Sequence, residues 1–370
     1  MSWARPRALG ARSQPERPLR YGAPMHRPAP LLMLLALACA GGPAGKTDTA
    51  DSADPGPGPS PYGLDDTLRL QHVQALGTHN STHIEPDPVI HPSHAYTHVP
   101  LTEQLRDQGV RALELDIHLH VDDGFHVFHL PNVDAETTCL RLADCLGEIR
   151  DWSDANPWHL PLMVWMEPKD EDLDVVVPEY DLFGDRHAEL EAAILDTLPR
   201  DHIFTPDDLR GQHADLPTAI AAEGGWPTLG ALRGKVVLSM LDSGDHRTAY
   251  LAGNPALEGR LLFVDADSAD DPFAATFKIN DAQGEAERVS GLVADGFLVT
   301  SNLRDGPEND AETGAAHLMD SLAAGAQFLM SDRPAPVDGW SSAIPGGTPA
   351  RCNAVGAPAE CTAGEVEALP

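Results

Sequence analysis

LELDIHLHVDDGFHVFH (residues 113–129) opens with apolar and ionisable residues in strict alternation: Leu113, Glu114, Leu115, Asp116, Ile117, His118. A period of two is the period of a β-strand, so one face carries carboxylates and imidazoles while the other is aliphatic. On a surface strand of an antiparallel sheet that polar face would simply meet water. The residues that follow point elsewhere. Asp123-Gly124 is a tight-turn signal, so the chain folds back on itself and carries His129 toward the carboxylates.

Outward from this stretch, apolar runs read as strands at 72–76, 110–119, 125–130, 160–167, 235–241, 260–265, 296–300 and 326–331. Helical patterns separate several of them, notably 185–198 and 311–326, the second closing on a glycine stop. Repeated β-then-α units predict a parallel sheet with helical crossovers. Their number favours a closed (β/α)8 TIM barrel in the α/β class over an open doubly wound sheet. In such a barrel Glu114 and Asp116 project into the interior while Leu113, Leu115 and Ile117 pack under the helices. Interior carboxylates are costly unless they are paired or bind a cation.

Two other strand ends supply companions. ALGTHNSTH (75–83) places His79 and Asn80 after the first strand, and LMVWMEPKD (162–170) places Glu167 at the end of another, followed by Lys169. Asn80, Glu114, Asp116 and Glu167 form an all-oxygen donor set that suits Ca²⁺, with Mg²⁺ as the second candidate, rather than zinc. His79 and His129 remain for proton transfer or charge stabilisation. The histidine-rich segment 82–98, with His83, His91, His94 and His98, reads as a solvated loop, because its prolines break any helix and its spacing matches no zinc motif. Trp152, Trp158 and Trp165 read as packing residues.

With 370 residues, 42% of them hydrophobic, the chain can bury a sizeable core. Its formal charge of −32 repels polyphosphate backbones, so no nucleic-acid partner is expected. Only four lysines occur: Lys46, Lys169, Lys235 and Lys278. Residues 1–39 read as an export segment, with Met25 as an alternative start and an apolar run too short to span a bilayer. Ala36 to Cys39 resembles a bacterial lipoprotein cleavage box. The expectation is therefore an exported lipoprotein anchored through a lipid on Cys39, with plain secretion as the alternative. A Gly/Pro/Asp-rich tether (40–63), a catalytic barrel (64–337) and a C-terminal extension (338–370) follow. Cys139 with Cys145, and Cys352 with Cys361, are spaced for local disulfides in an oxidising compartment. A monomer is expected.

The order THNS, ELDIH, FHL, WMEPKD, IFTPDDLRG, WPTLGALRGKVVLSML and AAGAQFLMSDRPAP resembles the bacterial calcium-dependent phosphatidylinositol-specific phospholipases C, over roughly Leu70 to Pro336. The resemblance implies a PLC-like phosphodiesterase barrel. It makes His79 and His129 the catalytic histidines and Asn80, Glu114, Asp116 and Glu167 the calcium ligands. It also implies a membrane phospholipid substrate, cleaved to diacylglycerol and a cyclic or hydrolysed inositol phosphate. Glu114 would accept the inositol hydroxyl proton, His129 would protonate the departing oxygen and His79 would support the phosphoryl oxygens. Lys169 and Arg304 are the substrate-binding candidates, Arg304 being the one basic residue in FLVTSNLRDGPEND (297–310). Glycerophosphodiester phosphodiesterases share the Glu-x-Asp and later His, but typically begin with His-Arg-Gly where this chain has His79-Asn80-Ser81. A non-catalytic, surface-tethered binding module is the rival from a different class.

Overall fold

The apolar runs that build the barrel fold as strands because they are covered on both sides, by the barrel interior and by a helix. The computed structural model describes residues 58–170, 178–337, 339–346 and 349–367. The export segment, Cys39 and the tether as far as residue 57 lie outside the described residues. The strands are β1 (Val73–Thr78), β2 (Ala112–His120), β3 (Gly124–Val127), β4 (Leu162–Pro168), β5 (Tyr180–Asp181), β6 (Ile203–Phe204), β7 (Val236–Met240), β8 (Phe263–Val264), β9 (Thr276–Lys278), β10 (Leu298–Asn302), β11 (Phe328–Ser331) and β12 (Ala350–Cys352).

Parallel pairing runs β8-β7-β4-β2-β1-β11-β10-β9. A parallel bridge between Asp265 and Thr276, beside β8 and on β9, closes the ring. Eight parallel strands therefore encircle one interior, the TIM barrel that the β-then-α order predicts. Helices cover it by periodic apolar faces. In Leu142–Ala155 the buried residues Leu142, Cys145, Leu146, Ile149 and Trp152 fall three and four apart. In Ala311–Ala324, Asp310 caps the start by accepting from the Thr313 amide, and Gly325 ends the helix in the left-handed region.

Below the mouth the interior is tightly filled. Trp165 reaches across to donate its indole N–H to Thr300 Oγ1 at 3.0 Å, and Ser239 and Thr276 hydroxyls meet at 3.0 Å. A Cβ on Gly77 would lie 2.5 Å from Met330 Sδ and 2.8 Å from the Ala112 Cβ, so only glycine lets β1 pass there. The 125–130 run is the return arm of a hairpin on β2, with Leu119 opposite Phe125 and Gly124 at φ +74°. β9, by contrast, has no counterpart among the runs read from sequence. Its three residues hold a single apolar side chain, Phe277, too little for alternation to register.

The segment after Val337 packs onto the barrel. β12 pairs antiparallel with β1, and Cys352 is bonded to Cys361, as Cys139 is to Cys145. At the opposite end from the mouth, Glu367 forms a buried bidentate pair with Arg111 at 2.6 and 2.9 Å. Gly63, at the end of the tether, donates its amide to Glu365 at 2.8 Å. Among the described residues no helix is long and apolar enough to cross a membrane.

Candidate active site

Strand register aims the carboxylates. Glu114 is opposite Trp165 and Asp116 is opposite Glu167 across the β2–β4 ladder. Because Trp165 spans the interior, the same parity turns all three acids inward at the C-terminal rim, where barrel sites form. Glu114 and Asp116 are buried, and Glu167 stays one-fifth exposed at the mouth.

Three carboxylates in one enclosure demand positive charge. Lys278, from β9, places its ammonium on Glu114. Lys169 bridges Asp116 at 2.9 Å and Glu167 at 2.7 Å. Burial works against ionisation of Asp116, but Lys169, then His129, hold it below its ordinary range. Glu167 goes the other way. Burial and the nearby Asp116 charge push it up to about 7. Asp116 and Glu167 also hold Lys169 above its usual value against the effect of burial.

His79 follows β1, its backbone N–H donating to Ser331 on β11. Its Nδ1 meets Asp332 Oδ1 at 2.8 Å and its Nε2 lies 3.5 Å from Glu114 Oε1. Burial opposes protonation, yet Asp332 and Glu114 outweigh it and raise His79 to about 9. The ring is therefore an imidazolium at neutral pH. The loop after it is tied down, since the Ser81 amide donates to the Glu114 carbonyl and the Glu114 amide donates to Ser81 Oγ. Asn80 sits in the left-handed region at φ +42° and donates its side-chain amide to the Tyr96 hydroxyl at 3.2 Å. Burial, then Asp332, pushes the Tyr96 phenol well above its usual value, so it keeps its proton.

His129 arrives through the hairpin. Its Nδ1 meets Asp134 Oδ2 at 2.6 Å, and reciprocal backbone hydrogen bonds between Leu130 and Asp134 tighten the loop between them. Asp134 is fully buried, and its other oxygen meets His83 Nε2 at 2.8 Å. Burial alone would raise this acid, but His129 and His83 draw it down to about 2. His118 contacts the Phe128 carbonyl through Nε2 at 2.9 Å and stacks on the Phe128 ring, so it braces the hairpin. His83 and His98 are buried while residues 87–92 are exposed, so the 82–98 segment is a solvated loop in its middle but is anchored in the protein at both ends. Carboxylate and carbonyl partners make that burial tolerable, His98 Nε2 meeting the His79 carbonyl at 2.9 Å.

His79, Asn80, Tyr96, His129, Asn302 and Arg304 face a cleft of about 460 Å³. Arg304 stands at its wall, half exposed, 3.6 Å from Asp281. The sequence model described as phosphoinositide phospholipase C, Ca²⁺-dependent, matches residues 118–354. The chain belongs to this family. Within the match lie His129, Glu167, Lys169, Lys278 and Arg304, while His79, Asn80, Glu114 and Asp116 precede it. The match decides for the phospholipase C family over the glycerophosphodiester phosphodiesterases.

Solved structures of this type share the fold. A Ca²⁺-dependent phosphatidylinositol-specific phospholipase C from Streptomyces antibioticus superposes with TM-score 0.54 at 23% identity, covering 72% of this chain and 95% of that one. A calcium-dependent phosphoinositol-specific phospholipase C from a Gram-negative Pseudomonas sp. gives 0.52 at 16%, covering 78% and 96%. By sequence, no curated protein matches the chain.

The residues of this phospholipase C family member fit a hard cation in type and burial. Asn80 spends its nitrogen on Tyr96, which leaves its amide oxygen free to ligate, and Glu114, Asp116 and Glu167 supply anionic oxygens. As they stand, the three carboxylates do not converge within ligand reach of a common point. Each instead holds an ammonium group, because like charges at the rim separate around the nearest cations. Residues that sequence reasoning passed over are Lys278, Asp332, Asp134 and Tyr96. Asp332 alone carried a usable cue, an acid directly after the predicted strand 326–331.

Proposed function

We propose that this protein is a monomeric, calcium-dependent phosphodiesterase that cleaves phosphatidylinositol-type lipid to diacylglycerol and a cyclic or hydrolysed inositol phosphate. The reading rests on one observation above the others: His79, held cationic between Asp332 and Glu114, opens on the same cleft as His129.

In this reading Asn80, Glu114, Asp116 and Glu167 hold the ion. A calcium ion held there would supply Lewis-acid chemistry, favouring ionisation of the attacking inositol hydroxyl and offsetting negative charge on the phosphoryl oxygens. Glu114, paired with the Lys278 ammonium, accepts the hydroxyl proton. The His79 imidazolium donates from Nε2 to a phosphoryl oxygen as charge builds in the transition state. His129, with Nδ1 committed to Asp134, keeps Nε2 for the departing diacylglycerol oxygen and gives it a proton. Lys169 and Arg304 add positive charge for the phosphodiester and the head group. Export through residues 1–39, with a lipid on Cys39, would hold the barrel at the membrane that carries its substrate.

The test is turnover by the full chain in calcium, with phosphatidylinositol vesicles as substrate, glycerophosphocholine as the control and Mg²⁺ as the alternative ion. Diacylglycerol release with calcium and phosphatidylinositol alone is expected. Stoichiometric calcium binding without turnover of either substrate would favour the binding-module reading.

A further inference from the structure

His94 lies on the short helical turn Pro92–His94, far in sequence from the hairpin, yet it closes on the groups around Asp134. Its Nδ1 is 3.3 Å from Asp134 Oδ2, the oxygen that also meets His129 Nδ1 at 2.6 Å. One ligand atom from each of His94, His129 and Asp134 lies within 4.8 Å of the other two. The His94 and His129 rings stand edge to face, 5.3 Å apart. Although buried, His94 Nδ1 makes no hydrogen bond. We propose that His94, His129 and Asp134 form a second metal site, for a borderline transition cation such as Zn²⁺, and that its occupation withdraws His129 from proton transfer.

Two imidazoles and one carboxylate are the donors that zinc accepts and calcium does not favour, the reverse of the all-oxygen rim beside them. Three protein ligands leave a fourth position, and the site has an open side, since His94 and His129 both face the cleft. An outer layer is already built. His83 holds the second oxygen of Asp134 at 2.8 Å and stacks on Tyr96 with centroids 4.2 Å apart. Such a partner orients a ligating carboxylate. Binding exchanges the His129–Asp134 hydrogen bond for two metal bonds, and the Nδ1 proton of His129 leaves to solvent. The ring then carries the metal at Nδ1 and becomes a poor proton donor at Nε2. Inhibition as a consequence rests on His129 being the general acid proposed above; metal capture does not.

The experiment uses the full chain with calcium held saturating, and two readouts. Co²⁺ is titrated into the wild type, H94A, H94Q and H91A, and its visible d–d absorption is followed. Zn²⁺ inhibition of phosphatidylinositol cleavage is measured on the same four proteins, each against its own zinc-free rate. Expected are an intense low-symmetry Co²⁺ spectrum and zinc inhibition in the wild type and H91A, with both weakened on the order of 10- to 100-fold in H94A and H94Q, a range that loss of even an outer partner can produce. No such spectrum in the wild type, or one that survives unchanged in both His94 variants, would overturn the site. A spectrum lost in the His94 variants without zinc inhibition of the wild type would leave the site standing and remove His129 from the role of acid.

Discussion

The two imidazole–carboxylate pairs at the rim look alike in outline and differ in how their charge is shared. Asp332 serves His79, and Glu114 stands on the ring's other side, so two anions act on one imidazole and lift it to about 9. Asp134 is instead surrounded by three imidazoles, His129, His83 and His94, so one anion is divided among several rings. The same residue types thus give one ring two anions in one place and one anion three rings in the other. What decides is the ratio of carboxylates to rings around each site, together with burial that keeps water from levelling the difference.

The largest effect that could break this comparison is in the rate. H129A and H79A should each lower phosphatidylinositol cleavage on the order of 10²- to 10⁴-fold, checked by single-turnover assays in saturating calcium. If only one of them matters, the division of labour between the pairs is wrong. Next comes the charge balance of the acid cluster. K278M removes the ammonium from buried Glu114 and leaves it only the His79 ring at 3.5 Å, and in calcium-free urea unfolding it should cost about 3–5 kcal/mol. The double variant E114Q/K278M should recover most of that loss, because both charges are then gone.

D332N sharpens the comparison through pH. Because His79 is raised from 6.5 to about 9, its contribution to stability is complete below pH 6.5 and is lost as pH rises through about 9. Removing the Asp332 charge lowers the His79 pKa, so that loss should start at lower pH, and the alkaline limb of kcat/KM should move the same way. Unfolding and activity series between pH 6 and 10 read both. D134N should leave that limb in place, since Asp134 does not face His79. The smallest effect belongs to Arg304, half exposed at the cleft wall. R304A should raise KM for phosphatidylinositol less than about tenfold and spare kcat, as expected when uniform binding is lost.

Legibility in the sequence followed local periodicity. β2 was readable because the eight residues from Leu113 to His120 alternate without interruption, and that parity aimed Glu114 and Asp116 inward. β9 was not, because three residues carry no period, and Lys278 was hidden with it. Asp134 follows His129 by five residues in a stretch with no regular pattern, so nothing local marks it as the partner of three rings. The histidines of 82–98 misled for a related reason. Proline-broken spacing says that no helix aligns them, but it is silent about a carboxylate arriving from the far side of a hairpin.

By itself, the sequence determined the barrel, the inward acids, the strand-end histidines and the kinship that these motifs carry. All of these depend on the order of residues along short stretches, where backbone geometry alone fixes which side chains share a face. Only the tertiary structure decided which charges meet: Lys278 with Glu114 across 164 residues, and His79 with Asp332 across 253. Electrostatic pairing depends on distance in space and on exclusion of water, and neither quantity exists until the ring of strands has closed.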